Sequence, residues 1–195
     1  MKIGCVIMAS GLSRRFGRNK LLEPFDGTSL IERILDITGD GLFDTRVVVT
    51  RTEAIRDICK NRNVPVVLHE CPNRNDTVRL GIEAMTDVDG CVFCPSDQPM
   101  LERESLEHLI RAFSQNGKGM FRLAYGEKQG TPILFGREYF SELSALPEKK
   151  GGSYLVRKYP EQTQLVTAAS EWELYDVDTE DELEWLKMQL LKKKE

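Results

Sequence analysis

The stretch MASGLSRRFGRNK, residues 8–20, puts two glycines and four basic side chains, Arg14, Arg15, Arg18 and Lys20, directly behind an apolar run. A glycine-containing turn after a strand can turn backbone N–H groups toward an anion. Gly11 and Gly17 would permit the tight path. Arginine would meet phosphate oxygens with its planar fork and lysine with a compact charge. The spacing is neither the Walker A loop nor the dinucleotide fingerprint G-x-G-x-x-G. The residue types point to a cradle for nucleotide phosphates. The competing reading is a solvated basic loop.

Two further stretches supply carboxylates. In VFCPSDQPML, residues 92–101, Asp97 falls just past an apolar run that reads as a strand. Open α/β sheets bind ligands outside the carboxyl ends of their strands. A carboxylate placed there can hold Mg²⁺ against phosphates, because that ion takes one or two carboxylates and keeps several waters. In LYDVDTEDEL, residues 174–183, Asp176 and Asp178 flank one residue and share a face if the segment is extended. Thr179 and Glu182 have the spacing of a capping box. Asp178 could equally be a helix-entry carboxylate.

Other reactive residue types carry less. Cys91 and Cys94 form C-x-x-C inside GCVFCP, which reads as a strand, so their side chains should point to opposite faces. With Cys5, Cys59 and Cys71 they make an odd, scattered set that fits reduced thiols rather than a disulfide framework. His69 and His108 show no partner pattern, and a structural or surface place is expected for both. No Ser/His/Asp or Cys/His set is evident.

The elements that must position these residues alternate. KIGCVIMA, TRVVVT, VPVVLH and GCVFCP read as strands, and SLIERILDIT, TEAIRDICKNR, DTVRLGIEAM and RESLEHLIRAFSQ as helices between and after them. Such alternation predicts a three-layer α/β/α domain of Rossmann-like character with a mostly parallel, mixed sheet. In the second half GMFRLAY, TPILF and TQLVTAA are strand candidates. REYFSELSAL, GSYLVRKY and the well-capped DTEDELEWLKMQLLKKK are helices. No linker or repeat interrupts residues 1–195, so a single domain is expected.

Composition sets outer limits. The chain has 195 residues, 30% of them charged, with a net charge of −4. That balance argues against broad nucleic-acid binding, which usually needs a basic surface. No apolar run approaches the roughly 20 residues of a membrane helix, and no targeting segment is evident. A cytoplasmic place, with no membrane and no nucleic-acid partner, is expected.

MASGLSRRFGRNKLL resembles the signature of the MobA-like and MocA-like NTP transferases, an apolar strand followed by A-[AG]-G-x-S-x-R-M-G-x-x-K-L-L. Gly11, Ser13, Arg15, Gly17 and Lys20 match, Phe16 stands where methionine is usual, and Ser10 replaces alanine or glycine. SDQP is similar to the family's G-D-Q-P, and YDVDTEDEL to its D-[IV]-D-T-P-E-D-L. QGTPILF matches a segment that lies near the acceptor site in the family. The resemblance implies a nucleotidyltransferase fold and a nucleotide site of Ala9, Ser10, Gly11, Ser13, Arg15, Gly17, Lys20, Thr77 and Asp97, where Thr77 takes the place of a serine. It implies Arg15, Lys20 and Asp97 as catalytic residues and Mg²⁺ on Asp97 and Asp176. It further implies transfer of CMP or GMP from CTP or GTP to a phosphorylated acceptor, with molybdopterin the best match, and release of pyrophosphate. A molybdoenzyme or chaperone would then be a protein partner. Two departures, Lys150 near an expected acidic position and the segment around Asn75, leave the acceptor open. The alternatives are a sugar- or polyol-phosphate nucleotidyltransferase, or a nucleotide- or cofactor-binding regulatory or carrier protein without turnover.

Overall fold

The computed structural model describes residues 1–194. The strands are β1 (Ile3–Ala9), β2 (Pro24–Phe25), β3 (Thr28–Ser29), β4 (Thr45–Thr50), β5 (Val66–Leu68), β6 (Gly90–Pro95), β7 (Met120–Tyr125), β8 (Lys128–Gly136) and β9 (Thr163–Thr167). The α-helices are α1 (Leu30–Ile37), α2 (Glu53–Asn61), α3 (Arg74–Glu83), α4 (Arg103–Asn116), α5 (Phe140–Ser144), α6 (Ser153–Lys158) and α7 (Glu180–Lys194). All the elements expected from hydrophobic periodicity are present. The β2–β3 hairpin of four residues had no readable pattern, being too short to show one.

Seven strands form one sheet in the order β5-β4-β1-β6-β8-β7-β9. The pairs β1–β4, β1–β6, β4–β5 and β7–β9 are parallel, while β8 runs antiparallel to both β6 and β7. The sheet is mixed and mostly parallel, as the alternation predicts. One face packs against α1, α2, α4 and α7 through Leu30, Ile34, Ile55, Leu106, Leu109 and Leu183. The other packs against α3, α5 and α6 through Val78, Ile82, Leu143 and Leu155. Cys94 belongs to the first core and Cys91 to the second, so the C-x-x-C straddles the sheet and cannot present both sulfurs to one ion. All five cysteines are free thiols, and burial pushes the Cys91 and Cys94 pKa values well up.

The order of strands decides where chemistry can occur. β1 and β6 are central neighbours, and their carboxyl ends lead directly into the basic loop and the SDQP turn. Helix α3 starts beside both. It is drawn close to β1 at Gly81, where a Cβ would lie 2.5 Å from Val6 Cγ1. Alanine normally stabilises a helix interior over glycine by roughly 0.5–1 kcal/mol. Here Gly81→Ala should instead destabilise by about 1–3 kcal/mol, because the added methyl overpacks the α3–β1 contact. Chemical denaturation reads the difference, and a gain in stability would show that the helix can move away.

Candidate active site

The basic loop curls on Ser13. Its backbone is left-handed at φ 48°, and its carbonyl accepts the N–H groups of Phe16 (3.0 Å) and Gly17 (3.1 Å). Gly17 is also left-handed at φ 78°, a conformation that a side chain would strain. Ser13 Oγ accepts the Lys20 N–H at 3.2 Å and closes the curl. Phe16 is buried and anchors the loop to the core, with the Arg18 guanidinium over its ring at 5.1 Å. Asn19 caps the 3₁₀ turn Lys20–Leu22 and donates to Thr52 Oγ1 at 3.1 Å.

Lys20 ends inside the protein. Its side chain is 7% exposed, and its ammonium donates to Asp97 Oδ2 at 2.7 Å, to Asp178 Oδ1 at 3.1 Å and to the Val177 carbonyl. Burial works against its charge, but Asp97 and Asp178 outweigh that, and its pKa is raised above the ordinary lysine value. All three donors of this lysine are therefore in use. Arg15 pairs with Asp178, and Arg18 with Glu23 and Glu180. Asp178 is thus a bridge between the basic loop and the entry of α7, where Thr179 and Glu182 form the expected capping box.

Asp97 and Asp176 come together across the sheet edge. Both line one pocket of about 510 Å³. Burial, and then the negative charge of Asp97, push the Asp176 pKa up to about 6. Gln98, itself buried, donates from Nε2 to Asp176 Oδ1 and to Thr131 Oγ1, both at 2.8 Å. Its Oε1 is buried without a hydrogen-bond partner among the described residues. Gln98 and Thr131 were not expected as site residues. SDQP and QGTP mark them in the sequence, but only the fold shows that one amide ties the two segments to Asp176.

A second pocket of about 340 Å³ adjoins the first. Ser10, Gly11, Ser13, Arg14, Arg51, Arg74 and Thr77 are on its wall. Asp97, Met8, Arg74 and Pro95 line both pockets, so the two meet at the end of β6. Gly17 faces an adjoining groove with Arg14 and Arg51. Of the nucleotide-site residues expected from sequence, Ser10, Gly11, Ser13, Thr77 and Asp97 therefore surround one cavity. Ala9 is buried behind it, with its carbonyl accepting from Thr50 Oγ1 at 3.0 Å. Arg15 and Lys20 are absent from the wall, being turned toward carboxylates. Arg14, Arg51 and Arg74 take the wall positions instead, and the described residues give none of the three an ion pair. His69 has a partner after all. Its Nε2 lies 2.8 Å from Ser10 Oγ, which also donates to the Val49 carbonyl at 3.0 Å.

The two departures noted in the sequence lie on segments that are tied to each other, Asn75 bonding the residue before Lys150. Asn75 Oδ1 accepts the Lys149 N–H at 3.0 Å, and Asn73 Nδ2 donates to Glu148 at 3.4 Å. The start of α3 and the loop before α6 are thereby zipped together beside Arg74.

The model of the MobA-like NTP transferase domain matches residues 5–164, most of the chain. The chain belongs to this family of nucleotidyltransferases. As a MobA-like NTP transferase it is 29% identical over 112 residues to a probable molybdenum cofactor guanylyltransferase of Aquifex aeolicus, covering 57% of this chain and 54% of the relative. It is 31% identical over 121 residues to a 3-deoxy-manno-octulosonate cytidylyltransferase of Christiangramia forsetii, covering 60% and 47%. The chain thus spans about half the length of these curated relatives. The crystal structure of Rv0371c from Mycobacterium tuberculosis H37Rv superposes with a TM-score of 0.81 at 26% identity, over 96% of this chain and 99% of that one. Among the described residues no helix is long and apolar enough to cross a membrane.

The hard oxygen donors of Asp97 and Asp176 fit a divalent cation. Burial, and then the charge of Asp97, disfavour the Asp176 carboxylate, and such an ion would relieve both. No group of three or more histidine, cysteine or acidic side chains among the described residues could hold an ion. Two carboxylates with water completing the shell suit Mg²⁺.

The buried ammonium generates a prediction about stability. Lys20→Met takes from Asp97 its ion-pair partner and leaves Asp178 to Arg15 alone. Unfolding free energy should drop by about 1–2 kcal/mol, less than for a fully buried pair because Asp97 and Asp178 stay partly exposed and can rehydrate. Urea denaturation measures it, and an unchanged midpoint would mean that the ammonium does not hold this corner together.

Proposed function

We propose that this MobA-like NTP transferase moves CMP or GMP from a nucleoside triphosphate to a phosphorylated acceptor, best matched by molybdopterin, in a Mg²⁺-dependent reaction. The observation that carries this reading is the meeting of two pockets at Asp97. The narrow pocket, walled by the Gly11–Arg14 backbone, would take the nucleotide. The wide pocket would take the acceptor. An acceptor phosphate oxygen entering from the wide side could then attack the α-phosphate in line. The bond from α-phosphorus to the bridging oxygen breaks, and pyrophosphate leaves on the side of the basic loop.

The protein's share is positioning and charge. Arg14, Arg51 and Arg74 would meet the β- and γ-phosphates. Lys20 holds the Asp97 carboxylate in one orientation, and Gln98 does the same for Asp176. Asp97 and Asp176 would hold Mg²⁺, whose charge would offset that of the phosphates. The similarity to molybdenum cofactor guanylyltransferases favours a molybdopterin acceptor. The similarity to a 3-deoxy-manno-octulosonate cytidylyltransferase favours the second reading, a sugar-type acceptor for CMP. Five cysteines that are all free thiols favour a reducing, cytoplasmic place for this enzyme.

Pyrophosphate release, measured with CTP and GTP against molybdopterin and sugar-phosphate acceptors, tests both readings. Asp97→Asn should lower turnover by about 100-fold or more, the scale of removing one preorganised charge-stabilising group. Nucleotide binding without pyrophosphate release from any acceptor would instead indicate a binding protein.

A further inference from the structure

The two cation sets of this site are treated differently by the fold. On the basic loop Arg15, Arg18 and Lys20 each pair with carboxylates, and Arg14 alone among its cations has no ion pair among the described residues. On the wide pocket Arg74, Arg122, Lys149, Lys150 and Arg157 pair with none among the described residues. The carboxylates of that pocket, Asp97 and Asp176, are already bound to Lys20 and Gln98. Its far wall therefore carries five cations without an ion pair among the described residues, while Asp176, whose hydrogen-bond partner Gln98 is neutral, lies in the same cavity.

Arg122 is the fixed member of this set. It sits on β7, half-buried, with Nε donating to the Gly130 carbonyl at 2.7 Å and Nη1 to Gln129 Oε1 at 3.2 Å. These acceptors are neutral, so they orient the guanidinium without cancelling its charge. Burial, and then the like charge of Arg157, lower the Arg122 pKa. Arg157 is exposed on α6 and reaches the same pocket. Arg122 and Arg157 line the same cavity, neither with a counter-ion among the described residues, and an anion placed between two such like charges stabilises both. Lys150 lines the same cavity on a loop kept in place by the Asn75–Lys149 hydrogen bond.

We infer that Arg122 and Arg157, assisted by Lys150, form an anion subsite in the wide pocket that binds an anionic oxygen group of the acceptor, a phosphate or a carboxylate, other than the phosphate that reacts. The inference rests on the wide pocket being the acceptor's. It narrows the acceptor to small molecules that carry a second anionic oxygen group besides the reacting one, and so favours the sugar-type reading over molybdopterin, whose one phosphate is the reacting group.

The test needs neither nucleotide nor turnover. Inorganic phosphate and malonate are titrated separately into the protein while the arginine Nε–H resonances are followed by NMR. One or both should shift the Arg122 signal in a saturable way, and the tighter of the two names the chemistry. Arg157→Gln should weaken that binding about tenfold, the scale of one charge-assisted hydrogen bond. Arg157→Lys should recover most of it. Arg157 is exposed, so its variants should keep the native melting temperature, and Lys150→Gln gives an independent, smaller weakening. Binding of neither anion would overturn the subsite, as would wild-type affinity in Arg157→Gln. So would binding lost in Arg14→Gln but kept in Arg157→Gln, which places the anion in the basic loop. Pyrophosphate release is read separately, so a failed subsite and a failed transferase reading remain distinguishable.

Discussion

One buried ammonium holds the site together. Lys20 joins three stretches that are remote in sequence: the basic loop that carries it, the turn after β6 that carries Asp97, and the segment before α7 that carries Val177 and Asp178. Burying a lysine is costly unless its donors are all met and its charge is balanced. Here both conditions hold, and only when the three stretches are in place. The loop cannot lift, the SDQP turn cannot shift and the last helix cannot undock without stranding a charge. The Val177 N–H reinforces the junction by donating to the Asp97 carbonyl at 2.8 Å.

From that junction the two halves of the site diverge. On the loop side, Ser13 and Gly17 adopt left-handed backbone and leave Gly11 open to the cavity, with nothing within 4 Å of its Cβ position. On the sheet side, β8 runs antiparallel between β6 and β7 and carries Thr131 to Gln98 and Gly130 to Arg122. Gly130 lies so close to Leu174 that a Cβ would stand 2.8 Å from Leu174 Cδ2, which brings the segment bearing Asp176 over the strand. The same strand thus contacts the carboxylate end of the wide pocket and its cationic end.

The legibility of all this was uneven for physical reasons. Buried parallel strands and amphipathic helices write their period into the chain, so the α/β layers, the opposite facing of Cys91 and Cys94 and the cap at Thr179 could be read from spacing. The three phosphate and carboxylate stretches were legible too, because loops at strand ends need particular residue types. What spacing cannot encode is which partner a charged side chain chooses. Lys20 and Arg15 read as phosphate contacts, yet the chain turns both to its own carboxylates. Arg51 follows a strand with no motif around it, and Arg122 lies inside one; both become site residues only because the sheet order carries them there. Lys150 and Asn75 read as separate departures, yet Asn75 holds the loop that carries Lys150 through the neighbouring Lys149 N–H.

The central claim is that nucleotide and acceptor occupy different pockets that meet at Asp97. A crystal structure with Mg²⁺ and a CTP or GTP analogue that cannot release pyrophosphate tests it most directly. The account predicts the base and ribose in the narrow pocket, β- and γ-phosphates against the Gly11–Arg14 backbone and Arg51, and the α-phosphate beside Asp97 and Asp176, with the wide pocket left free. A nucleotide seated in the wide pocket, or phosphates lying away from Asp97, would contradict it.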